Sequence, residues 1–139
     1  DMVLLHVASG DDAWQVQVQV GSRAPLLQGS MGRLMAMRTE LPTPRLRDMF
    51  EALRWDRPIS FDDFMAQAEI ALRRGWAADE GNFHRSMASI SVPIPEGDGG
   101  VASLLSAAMF AGQYQAESSA GIVEDLMKIA EQVGRAPSA

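Results

Sequence analysis

The chain has 139 residues, 47% of them hydrophobic and 22% charged, which suits one globular domain with a single core and argues against disorder. It carries no cysteine, so a disulfide framework, a thiolate nucleophile and a cysteine-based zinc site are excluded, in keeping with a reducing cytoplasm. A formal charge of −6 is the wrong sign for a surface that grips phosphates, so the chain by itself is not expected to bind nucleic acid.

In chain order, residues 2–8 form a mostly apolar run that ends in the turn-forming Ser9-Gly10-Asp11-Asp12. Trp14, Val16, Val18 and Val20 alternate with Gln15, Gln17 and Gln19, the period of a strand with one buried face. The pair reads as a β-hairpin. Residues 21–29 read as a loop. Met31, Leu34 and Met35 then recur at helical spacing, predicting a helix over residues 30–39. Thr43-Pro44 starts a second helix, whose Leu46, Met49, Phe50 and Leu53 share one face.

The third helix is the best marked. Ser60 caps it, Ile59 and Phe64 are spaced as a hydrophobic staple, and Gly75 suits the left-handed position after Arg73 and Arg74. Its expected buried stripe is Phe61, Phe64, Met65, Ala68 and Leu72. A short strand is expected at residues 76–79 and long ones at residues 87–93 and 101–110, the last two joined by turn chemistry at residues 95–100. Residues 119–133 close the fold as a helix, with Ile122, Leu126, Ile129, Ala130 and Val133 on one face. Hairpins separated by helices imply an α+β fold with a mostly antiparallel sheet and helices packed against it. The longest apolar run, residues 101–112, is too short to cross a bilayer.

Enzyme templates mostly fail. Gly29-Ser30-Met31-Gly32 has the wrong spacing for a nucleophile elbow, and Gly97-Asp98-Gly99-Gly100 suits a hairpin turn better than a phosphate loop. Asp79, Glu80 and His84 lie close enough in sequence for a metal site or an acid–base group, but this spacing is common in polar loops. A different constellation is more suggestive. Gly29-Ser30-Met31-Gly32 opens a helix, whose first amides are free donors at its positive end. Ser89 and Ser91 share a strand face, and Ser106 lies on the neighbouring strand. Together they suit a small organic acid, against the plainer reading of serines that face solvent or bond within the sheet.

The segment R-R-G-W-A-A-D-E-G-N-F-H-R-S-M-A-S-I-S-V-P-I-P-E-G-D-G-G-V-A-S-L-L-S-A-A resembles the effector-domain signature of the IclR (isocitrate lyase regulator) family of bacterial transcription regulators. Upstream, A-P-L-L-Q-G-S-M-G-R-L-M-A resembles the same family's P-L-H-A-x-x-x-G-K-A-L-L-A. The resemblance implies a GAF-like, cytoplasmic, non-catalytic domain that binds a small effector, a carboxylate above all, and forms a homodimer or homotetramer. It implies no cofactor and no metal. DNA would be held through a winged helix-turn-helix that this chain lacks, along with the first strand of the effector domain. The implied effector contacts are the amides of Ser30 and Met31 beside Gly32, the acidic Asp79, and the strand positions Ser89, Ser106 and Ala108. An apolar wall falls on Val16, Ala24 and Met87. Departures from the family pattern include Leu27 for a histidine, Asn82 for a glutamate, Ser86 and Met109 for glycines, and Ala108 for a serine, which point to a bulkier or more apolar effector. The alternatives are a structural dimerisation domain with a vestigial pocket, and a small enzyme built on Asp79 and His84.

Overall fold

The computed structural model describes residues 1–8, 19–95 and 103–135. Most of the expected strand at residues 14–20, and the turn at residues 96–100, lie outside the described residues.

Strand β1 (Met2–Val3) pairs antiparallel with β2 (Arg23–Ala24), in the stretch read from the sequence as loop. The cause is Gly21, whose φ of +89° turns the chain back on itself in a conformation costly for other residues. Its N–H donates to the Leu4 carbonyl at 2.7 Å, and the Leu4 N–H donates to the Ser22 carbonyl at 2.9 Å.

Helix α1 (Gly29–Ala36) is shorter than expected at its far end and buries Leu34 completely. Helix α2 (Thr43–Glu51) begins at the residue expected to cap it, so Pro42 takes the cap position, and it buries Leu46 and Phe50. Helix α3 (Phe61–Arg74) has the expected ends: the Ser60 hydroxyl accepts the Asp63 N–H at 3.0 Å, and Gly75 closes it with φ +89°. Its buried stripe is Phe61, Phe64, Ala68 and Ala71; Leu72, expected inside, is 46% exposed. Phe50 of α2 packs against Phe61 and Phe64 in the first half of α3. At the last turn the cover comes from Leu34 and Ala77, which meet Ala71 and leave Leu72 outside.

Strands β3 (Ala77–Glu80), β4 (Met87–Pro93) and β5 (Leu104–Phe110) form an antiparallel sheet in that order. Helix α4 (Ser119–Arg135) lies on β4 and β5. The period of two divides the sheet. Ile90 and Val92 meet Val123, Leu126 and Ala130 of α4, whereas Ser89 and Ser91 point to the opposite face, against α1. The sheet is therefore sandwiched, with α1 and α3 on one side and α4 on the other. On α4, Ile129 and Val133 were expected in the buried stripe but are 47% and 48% exposed. Val123 takes their place, because the helix meets the sheet along Val123, Leu126 and Ala130. Among the described residues no helix is long and apolar enough to cross a membrane.

Candidate functional site: a hydroxyl chain at the start of α1

The sheet face toward α1 carries an unusual density of polar groups for an interior. Register sets Asp79 opposite Ser89, Ser91 opposite Ser106, and Ser89 opposite Ala108, so these five residues form one contiguous patch. Helix α1 brings Ser30 onto it. The Ser30 Oγ lies 2.7 Å from Ser89 Oγ and 2.7 Å from Ser91 Oγ, and Ser91 Oγ lies 2.5 Å from Ser106 Oγ.

Four hydroxyls thus run in a line, Ser89–Ser30–Ser91–Ser106, from one strand through the helix start to the next strand. Each hydroxyl has one proton to donate. Three bonds use three protons, so the fourth points out of the chain. Ser30 and Ser91 are fully buried, and an unused proton there would be costly, which places the spare donor at Ser89 or Ser106, the two ends that reach toward solvent.

Two glycines shape the start of α1, one by its backbone conformation and one by close approach. Gly29 stands at φ +64°, and a Cβ there would lie 3.8 Å from Ser89 Oγ. Gly32 passes so close to Leu27 that a Cβ would overlap the Leu27 backbone. The first intrahelical bond of α1 is donated by the Gly32 N–H to the Gln28 carbonyl at 2.9 Å, so the Ser30 and Met31 amides lie ahead of the ladder. No side chain caps this helix.

Asp79 sits at the edge of the patch, buried, with both oxygens engaged. Its Oδ1 accepts the N–H groups of Gly81, Asn82 and Phe83 at 3.1, 2.9 and 3.3 Å, shaping the loop after β3. Its Oδ2 is 2.8 Å from Nη1 of Arg33, a residue that the sequence reading did not single out. Arg33 is 1% exposed. It also donates to Gln67 Oε1 at 2.7 Å, to the Gly29 carbonyl at 3.0 Å and to Asn82 Oδ1 at 3.3 Å, and its guanidinium lies over the Phe64 ring. One signal was available in the sequence. A lone cation between Met31 and Leu34, on a helix with an apolar stripe, calls for a buried acid.

The other expected positions are spread more widely. Ala24 is half-buried on β2, Met87 is half-buried at the start of β4 opposite Phe110, and Val16 lies outside the described residues. The acid–base candidates diverge. Asp79 serves Arg33 and the loop amides, and Glu80 accepts the Tyr114 hydroxyl at 2.7 Å. His84 Nδ1 accepts the Ser86 N–H at 3.2 Å. Among the described residues no group of three or more potential metal ligands converges.

The sequence profile described as "Bacterial transcriptional regulator IclR C-terminal" matches residues 1–135. Solved structures agree on the fold. HmgR of Pseudomonas aeruginosa is 26% identical, with a TM-score of 0.73 over 95% of this chain and 53% of its own. An IclR transcriptional regulator from Alicyclobacillus acidocaldarius is 18% identical, with a TM-score of 0.72 over 90% of this chain and 51% of its own. IclR of Thermotoga maritima is 17% identical, with a TM-score of 0.70 over 92% of this chain and 53% of its own. The chain spans about half the length of these neighbours. A comparison with curated proteins finds no match. The fold is α+β and GAF-like, and the chain belongs to the IclR C-terminal family of bacterial transcriptional regulators.

Proposed function

We propose that this chain is the effector-sensing and oligomerising domain of an IclR-type regulator, and that it reads a small organic or aromatic carboxylate at the start of α1. The observation that carries this reading is the Ser89–Ser30–Ser91–Ser106 chain, which ties a helix N-terminus to two strands and keeps one proton to give away. A carboxylate seated there takes hydrogen bonds from the Ser30 and Met31 amides and from the spare serine proton, at the positive end of the helix. Ala108, opposite Ser89, offers a methyl group, and Ala24, Met87 and Val16 supply the apolar wall. Asp79 has a lone pair left on Oδ2 for an effector hydroxyl. The domain binds rather than catalyses, works in the cytoplasm, and meets DNA only through a winged helix-turn-helix elsewhere in the regulator.

Binding biases the regulator only as far as the effector prefers one assembled state over another. The test is thermal unfolding of the domain with a panel of small organic and aromatic acids. An effector at about a hundred times its dissociation constant adds roughly 2.7 kcal/mol. The reading expects one acid to stabilise the wild type but not Ser89→Ala. A folded, oligomeric domain that no acid stabilises would instead be a dimerisation module with a vestigial pocket.

A further inference from the structure

Strand β3 is an edge of its sheet among the described residues. Among the described residues Ala77–Glu80 pairs only with β4, and no main-chain group of these four residues bonds to anything on the outer side. A cleft of about 270 Å³ lies between α3 and β3, lined by Gln67, Ile70 and Arg74 of α3 and by Ala77, Ala78 and Glu80, with Arg33 and Asn82 also bordering it. Just beyond β3 the same edge is filled: the Asp56 and Arg57 N–H groups donate to the Phe83 and Asn82 carbonyls at 3.2 and 3.0 Å. The open stretch is therefore a slot four residues long, stopped at one end.

Open edges template pairing with another chain, and proteins usually blunt them with lysine, proline or a bulge. This one is only four residues long, with two alanines followed by two acids and neither lysine nor proline. Its charges match themselves under a two-fold axis. Arg74 stacks over Trp76, 3.4 Å from the ring centroid, and its Nε donates to the Trp76 carbonyl at 2.9 Å, which fixes a cation at the start of the strand. Glu80, whose carboxylate accepts the Tyr114 hydroxyl and attracts Arg74 of its own copy, places an anion at its end.

We propose that the β3 edge takes the β3 edge of a second copy, antiparallel about a two-fold axis through the middle of the strand. Ala77 then lies opposite the partner's Glu80, and Ala78 opposite the partner's Asp79. The cation of Arg74 meets the partner's Glu80 at both ends, because a two-fold interface repeats every contact. The alanines let the strands close to ladder distance, and the half-exposed Ile70 of each copy covers the seam. The three described strands of each copy then form one continuous sheet through both subunits, with the hydroxyl chain of each on its α1-facing side. This surface rests on the oligomerising half of the function proposed above and makes no use of effector binding.

The test is sedimentation equilibrium of the 139-residue chain over a range of concentrations, with charge variants. The wild type should reach twice the 15.1 kDa of one chain. Glu80→Arg and Arg74→Glu, each placing like charges across the seam, should weaken the dimer by about ten-fold or more, and Arg74→Glu/Glu80→Arg should restore it. Circular dichroism melting checks that the variants fold. Hydrogen exchange on the wild type is independent of them and should show Ala77–Glu80 amides more protected at high concentration than at low. A chain that stays monomeric at every concentration overturns the pairing, whatever acids do to its melting. A dimer that is indifferent to both single charge reversals, or whose β3 amides exchange alike at all concentrations, overturns this surface and moves the interface elsewhere.

Discussion

Arg33 Nη1 and Asp79 Oδ2 lie 2.8 Å apart, joining residues 46 positions apart in sequence, with both side chains almost fully buried. This pair links three elements, because the same guanidinium holds the Gly29 carbonyl of its own helix and Gln67 of α3, while the same carboxylate holds the loop after β3. The start of α1, where the effector is proposed to sit, is therefore fixed from behind by a neutralised charge.

Removing one member leaves the other charged and buried. Arg33→Met should destabilise the domain by about 3–5 kcal/mol in urea unfolding, far more than a surface ion pair is worth. Asp79→Asn keeps an acceptor for the loop amides, so Arg33→Met/Asp79→Asn should cost less than the sum of the two single changes. Strict additivity would show that the pair is not coupled.

Gly32→Ala tests how closely α1 must approach. The added methyl would collide with the Leu27 main chain, and Leu27 is itself a core residue at 1% exposure. A backbone cannot step aside as a flexible side chain can, so the expected loss is on the order of 1–3 kcal/mol or more. A variant as stable as the wild type would mean that the first turn of α1 has slack, which would undercut the hydroxyl chain built on it.

Much of this architecture was legible because local chemistry and tertiary packing agree. Ser60, Asp63 and Gly75 marked both ends of α3, and the alternation across residues 87–93 gave β4 and its two faces. The serine cluster was also legible, since period two puts Ser89 and Ser91 on one face whatever covers it. What stayed hidden depends on partners distant in sequence. Val123 displaced Ile129 and Val133 because helical periodicity shows an apolar arc wider than the strip that touches the sheet. Arg23–Ala24 carries no strand pattern of its own and is recruited by the turn at Gly21. Arg33 went unremarked because its partner lies 46 positions away, across the fold on β3.

Ser91→Ala separates the structural value of the hydroxyl chain from its sensing value. Ser91 bridges Ser30 and Ser106, and without its hydroxyl Ser30 still has Ser89, while Ser106 is free to bond water. The expected stability loss is only about 1 kcal/mol. The stabilisation by an effector should nevertheless fall, because Ser106 no longer shares its proton placement with the helix start. Equal effector-induced shifts in Ser91→Ala and wild type would mean that the four hydroxyls do not act as a unit.

Asp56 provides a prediction with a pH signature, away from the serines. Its carboxylate accepts the Arg85 N–H at 3.0 Å, and its main chain bonds Phe83, so it pins the loop that Asp79 also shapes. That hydrogen bond is the largest influence on its acidity and holds the carboxyl below its ordinary value of 3.8, with burial opposing and His84 assisting. A lowered folded-state pKa means that the unfolded chain takes up the proton first. The stabilising contribution is therefore present above the ordinary value and is lost as pH falls through the lowered one. Asp56→Asn should flatten the decline in stability below about pH 4 and leave neutral-pH salt dependence nearly unchanged. Identical acid limbs in Asp56→Asn and wild type would assign the acid sensitivity of the domain to other carboxylates.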